Sequence, residues 1–145
     1  MDGKLNTYQQ VETSTKSQLD LILKVYDGAI KSFKDASDHY KNEKFNEGYE
    51  QLEKSRKFLT HLYTTLDMDK GGEIAQNLGQ LYVYMINQVN VAEATKDLKL
   101  IKENIDILNN IRSGWKSLKD DEVKEKLNQI KTEHGVNPGQ FVQSV

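Results

Sequence analysis

Apolar residues recur along this chain at spacings of three and four, the period of α-helices that turn one face to a core. The first series is Leu19, Ile22, Leu23, Tyr26, Ile30, Phe33 and Tyr40. A polar turn at Asn42 to Lys44 leads into the second, with Phe45, Tyr49, Leu52, Leu59, Leu62, Tyr63 and Leu66. Gly71 and Gly72 separate it from the third, which carries Ile74, Leu78, Leu81, Tyr82, Met85 and Val89. A cap near Thr95 opens the fourth, through Leu98, Ile101, Ile105, Leu108, Ile111, Trp115 and Leu118. No strand-like alternation persists, and the single proline, Pro138, lies behind all four series. Short connections make consecutive helices antiparallel. The pattern therefore predicts an all-α fold, an antiparallel up-down four-helix bundle.

The bundle is expected over residues 15–118. Thr15 and Gln18 have the spacing of a capping box, in which a side chain at each end satisfies an unpaired backbone donor. Residues 1–14 are polar and rich in Thr, Ser and Gln, and read as a loose N-terminal arm with Leu5, Tyr8 and Val11 as its apolar points. In the remaining part, 119–145, the pattern allows a short fifth helix from about Asp121 to Glu133, striped by Val123, Leu127 and Ile130. Gly135 and Pro138 would stop it, and the tail with Phe141 and Val142 follows.

Two features exceed what a bundle core requires. Leu81 to Ile86 is a run of apolar and aromatic residues that covers every side of its helix, and Leu21, Val25, Phe58, Leu100 and Ile107 lie beside the main stripes. Such residues are either single exposures or the walls of a groove for another amphipathic helix. Each main helix also holds an interior glycine: Gly28, Gly48, Gly79 and Gly114. Glycine inside a helix costs about 0.5–1 kcal/mol relative to alanine, so close approach of a neighbouring helix is the expected return. Gly79, near Ala75 and Tyr82, also suits the floor of a shallow binding surface.

Composition removes other function classes. A net charge of -2, with Arg56 and Arg112 the only arginines, gives no electrostatic basis for nucleic-acid or anionic-membrane binding. There is no cysteine, and the N-terminus lacks the apolar run of a signal peptide, which suits the cytoplasm. Asp67, Asp69 and Gly72 begin like a calcium loop, but glycine stands at its fifth place and Leu78 where a bidentate glutamate is needed. His39, His61 and His134 have no metal-ligand spacing. No metal or cofactor is expected, and no catalytic residue.

Four segments resemble one family in order and spacing, the flagellar secretion chaperones (FliS). They are YQQV at Tyr8–Val11, LILKVYDGAI at Leu21–Ile30, TLDMDKGGEIAQNLGQLYVYM at Thr65–Met85 and IRSGW at Ile111–Trp115. The resemblance covers about Leu5 to Leu118 and does not extend to the chain's C-terminal part. It implies a non-enzymatic cytoplasmic chaperone that holds the disordered C-terminal segment of flagellin in apolar grooves. That prevents premature polymerisation and delivers the client to a component of the flagellar export gate. It further implies a groove role for Leu62, Leu66, Ile74, Leu78, Leu81, Tyr82 and Met85. Leu5 and Tyr8 would act in the arm and in docking at the gate, while Tyr26 and Trp115 read as core. The alternative is a helical adaptor or regulator with the same bundle that binds an amphipathic helix of a different protein.

Overall fold

The computed structural model describes residues 3–133, which form four α-helices: α1 (Gly3–Lys41), α2 (Phe45–Thr64), α3 (Met68–Thr95) and α4 (Leu98–Glu133). Helix α1 packs on α2 and α4, and α3 packs on the same two, so the helices form a ring of four antiparallel neighbours. The antiparallel sense of α1 and α4 is visible in their cross-links. Arg112 meets Asp27 and Trp115 meets Tyr26, whereas Leu98 lies near Lys41.

The buried positions follow the predicted seams. On α1 they include Leu19, Leu23, Tyr26, Ile30, Phe33 and Tyr40; on α2, Leu52, Leu59 and Leu62. Helix α3 contributes Tyr82, Met85 and Val89, and α4 contributes Ile101 and Leu108. Each large apolar side chain taken out of water contributes about 1.5–3 kcal/mol. Polar groups caught in the core pair off across helices. Ser32 and Ser55 join their hydroxyls at 2.7 Å between α1 and α2. Gln88 Nε2 donates to Asn104 Oδ1 at 2.7 Å, and Asn104 Nδ2 to the Met85 carbonyl at 3.0 Å, between α3 and α4. The two arginines act the same way nearer the surface. Arg56 of α2 reaches Glu93 and Asn90 of α3, and Arg112 of α4 bonds Asp27 of α1 at 2.6 Å.

Several boundaries differ from the sequence reading. Helix α1 begins at Gly3, not near Thr15, so the backbone of the expected loose arm is helical. No glycine or proline lies between Lys4 and Ser17, and extending an existing helix is far cheaper than nucleating one. For the same reason the fourth helix does not stop near Leu118. It runs unbroken to Glu133, and the separate fifth helix is instead the end of α4. The cap of α4 is Asp97, whose Oδ1 accepts from the Lys99 N–H at 2.9 Å; Thr95 belongs to the last turn of α3. Phe45, Tyr49 and Tyr63, assigned to the second stripe, are all exposed, and Gly48 and Ser55 take the inward positions. His134, Gly135, Pro138, Phe141 and Val142 lie outside the described residues, as do the side chains of Leu5, Tyr8, Val11, Val123, Leu127 and Ile130.

Two of the interior glycines are notches for rings. A Cβ on Gly48 would stand 2.2 Å from the Tyr40 ring, and one on Gly28 would stand 2.7 Å from Phe58. Both are α1–α2 contacts. This also accounts for Phe58, which lies off its stripe yet packs against the core.

Candidate functional site

The α2–α3 connection is an irregular turn that opens onto apolar surface. Helix α2 ends at Thr64, and Asp67 caps the next helix, its Oδ1 accepting from the N–H groups of Asp69 and Lys70 at 3.1 and 3.0 Å. That carboxylate has a structural partner, which accounts for the calcium-like spelling of the segment. One turn later Gly72 adopts φ 54° and ψ -130°, a conformation that side chains do not tolerate, and the helix is kinked there. The two glycines expected to break the chain therefore do so through Gly72.

Beside this turn lies a cleft of about 360 Å³ with contributions from all four helices. Leu62 of α2 and Leu66 of the connection after it form one wall, and Ile74, Ala75 and Leu78 of α3 another. Ile22 and Tyr26 of α1 and Trp115 of α4 close the back. At its base three aromatic side chains spend their polar atoms on one another. Trp115 Nε1 donates to the Tyr26 hydroxyl at 3.2 Å, and that hydroxyl is joined to the Tyr82 hydroxyl. Burial raises the pKa of both phenols, that of Tyr82 strongly, so each stays neutral. The result is a base without charge and with its hydrogen bonds already satisfied. A polar ligand gains little there, whereas an apolar side chain gains the area it buries. Charge appears only at the mouth, as Asp67 and Lys70.

Five of the seven expected groove residues meet around this cleft: Leu62, Leu66, Ile74, Leu78 and Tyr82. Ile74 is 71% exposed and Tyr82 only 1%, so they stand at its rim and its base. The other two lie elsewhere. Met85 is fully buried in the core, because it falls on the same seam as Tyr82 and Val89. Leu81 is exposed and does not line the cleft, since it precedes Tyr82 by about 100° around the helix. Tyr26 is core, as read from the sequence, yet it also lines the cleft, and Trp115 is only half-buried. The missed signal is an i,i+4 pair on α1, Ile22 and Tyr26, placed opposite a tryptophan on a helix distant in sequence.

A second, shallower depression of about 400 Å³ lies across α2 and α3. Tyr63, Met68 and Val83 are exposed around it, and Gly79 forms part of its floor. The Met68 methyl would be 3.3 Å from a Cβ placed on Gly79. Among the described residues no three His, Cys, Asp or Glu side chains are arranged to hold a metal ion. What these surfaces can do is accept apolar side chains from another chain.

The sequence model of one protein family, described as flagellar protein FliS, matches residues 1–122. The flagellar secretion chaperone FliS of Vibrio cholerae is 29% identical over 119 residues, which cover 79% of this chain and 88% of that protein. The flagellar secretion chaperone FliSB of Pseudomonas aeruginosa is 30% identical over 115 residues, covering 77% and 91%. A shorter match to the Salmonella typhimurium chaperone is 45% identical over 53 residues, covering 37% and 39%.

Proposed function

The chain belongs to the FliS family of flagellar proteins, and from that premise we propose that it is a cytoplasmic export chaperone for flagellin. It binds the disordered C-terminal segment of flagellin, keeps it from polymerising and delivers it to the flagellar export gate. The observation that carries the reading is the apolar cleft at the α2–α3 turn, uncharged at its base and open to solvent. A client that folds on binding loses conformational entropy, so it needs several apolar anchors along a track rather than a single pocket. The cleft, with the Gly79 depression on the other side of Leu66, offers two such stations. Leu62, Leu66, Ile74, Leu78 and Tyr82 form the first. Leu81 and Met85 fall outside both, and Met85 acts by supporting the Tyr82 seam from within the core.

Residues 1–14 serve as the arm in this scheme, with Leu5 and Tyr8 taking part in docking at the gate. No helix among the described residues is long and apolar enough to cross a membrane. The function needs no cofactor and no catalytic group. Calorimetric titration with a flagellin C-terminal segment tests the reading. One-to-one binding with a large negative heat-capacity change, and helicity gained by the segment, is the expected result. An intact bundle that ignores the segment at high micromolar concentration would refute it and favour the adaptor reading, in which the same cleft holds a different protein's amphipathic helix.

A further inference from the structure

The end of the bundle away from the apolar cleft carries a groove of different chemistry. It lies between the last turns of α1 and the first turns of α4 and has a volume of about 500 Å³. Its floor is apolar, formed by the half-buried Leu98 and Ile105. Its rims are basic: Lys34 and Lys41 on α1, Lys99 and Lys102 on α4, all exposed. Asp38 is the single carboxylate among the lining residues.

This concentration of cation is at odds with the rest of the chain, which is net acidic. Three cations elsewhere on the helix surfaces have carboxylate partners, whereas other single exposed lysines, such as Lys54 and Lys57, have none among the described residues and are not gathered around an apolar floor. Lys31 bonds Asp35, Arg56 bonds Glu53 and Glu93, and Arg112 bonds Asp27. None of the four groove lysines forms an ion pair among the described residues. Unpaired like charges raised on both sides of an apolar floor repel one another and lower the local potential barrier to an anion. A partner that brings carboxylates to the rims and apolar side chains to the floor satisfies both features at once.

We propose that this groove docks an acidic amphipathic helix of a protein partner. The spacing sets the pattern of that helix. Lys34 and Lys41 are two helical turns apart, about 10.5 Å along the axis. The partner therefore presents acidic residues at positions i and i+7, or i, i+4 and i+7, with apolar residues beside them for Leu98 and Ile105. A protein is favoured over RNA on three grounds. The groove has no arginine for bidentate phosphate contacts and no aromatic ring for base stacking, and its floor is aliphatic. On α4 the groove lies about 20 Å from Trp115, counted from the helical rise between Lys102 and Trp115. Both ends can therefore be occupied together, and this site is independent of the flagellin reading.

The test uses the full chain and a designed, fluorescently labelled peptide with glutamates seven residues apart and leucines on the adjoining stripe. Anisotropy titration should show saturable, salt-sensitive binding. Lys34→Glu/Lys102→Glu should weaken it by roughly tenfold or more, and Lys34→Gln/Lys102→Gln should give a smaller loss. Both variants should bind the flagellin segment as the wild type does. The proposal is overturned if the acidic peptide does not saturate, if the lysine variants bind it unchanged, or if an oligouridine RNA binds as tightly as the peptide.

Discussion

The two ends of this bundle use aromatic residues in opposite ways. Where α1 passes into α2 and α3 into α4, Tyr40 sits in the notch left by Gly48, its ring 6.1 Å from that of Phe45. Lys96, held in a left-handed conformation that ends α3, lies over the Phe45 ring at 5.3 Å. Close by, Arg56 ties Glu93 to α2. Rings at that end are spent on closing the packing around α2, and the groove between α1 and α4 there has an aliphatic floor instead. At the α2–α3 end Tyr26, Tyr82 and Trp115 satisfy one another's polar atoms, and the space in front of them stays open. Gly114 on the same side of the molecule has nothing within 4 Å of the position its Cβ would take. The difference shows that aromatic content does not mark a binding surface. What matters is whether a neighbouring backbone has been cut back to receive the ring.

The harshest way to break the comparison is Tyr82→Asp. It would place a carboxylate on the floor of the open end, against Tyr26, and should cost about 3–5 kcal/mol by leaving an uncompensated buried charge. Urea denaturation followed by helical circular dichroism measures it. If stability survives, Tyr82 belongs to an accessible wall and not to the base. Ile74→Glu should separate binding from folding. Its side chain is 71% exposed, so stability should stay within about 0.5 kcal/mol of wild type. Affinity for the flagellin segment should nonetheless fall roughly tenfold, or about 1.4 kcal/mol, in calorimetry.

The glycines then sharpen the contrast. Gly48→Ala must displace the buried Tyr40 ring and should destabilise by about 1–3 kcal/mol. Gly114→Ala meets open space and should stabilise by about 0.5–1 kcal/mol through helix propensity. Equal effects on the melting temperature would mean that the closed end is not in fact tighter than the open one.

The smallest expected effect is a dependence on pH at the closed end. Burial first, with the neighbouring Glu53 carboxylate, raises the carboxyl pKa of Glu93 despite the opposing Arg56 guanidinium. Its Oε2 has no hydrogen-bond partner. The raised folded value means that Glu93 favours folding most when protonated. That contribution is present below the ordinary carboxylate value and is lost as pH rises through the folded one. Glu53 works in the reverse sense. Hydrogen bonds from Arg56 and Tyr49 hold it low, so its support is lost as pH falls, although its exposure makes the support weak. Glu93→Gln should flatten the decline in stability as pH rises above the ordinary carboxylate value, read from urea midpoints. An unchanged slope would remove Glu93 as its source.

The bundle was legible in the chain because spacing alone carries it. A seam that alternates steps of three and four residues, as in Leu52, Ser55, Leu59 and Leu62, can be buried only along one side of a helix. Breaks were legible where glycine imposes them, as at Gly72. Where no breaker exists, at Lys4–Ser17 and after Leu118, composition suggested ends that backbone continuity does not require. The site was legible in part. Leu62, Leu66, Ile74 and Leu78 flank one turn and are neighbours in sequence as well as in space, so reading that turn collected them. Tyr26 and Trp115 were read as core because each lies on its own helix's seam, and nothing in the spacing says that the two seams part at that height.

By itself, then, the sequence determined the helices, their order around the ring and the position of the kinked turn, because these follow from periodicity, short connections and a glycine-only backbone angle. Only the tertiary structure decided which residues of a seam are core and which are wall. Met85 and Leu78 are a heptad apart on one helix, yet one is sealed and the other faces a cleft. That outcome depends on what the facing helices present at each level, an apolar side chain or an empty space, and a pattern read along one chain contains no term for it.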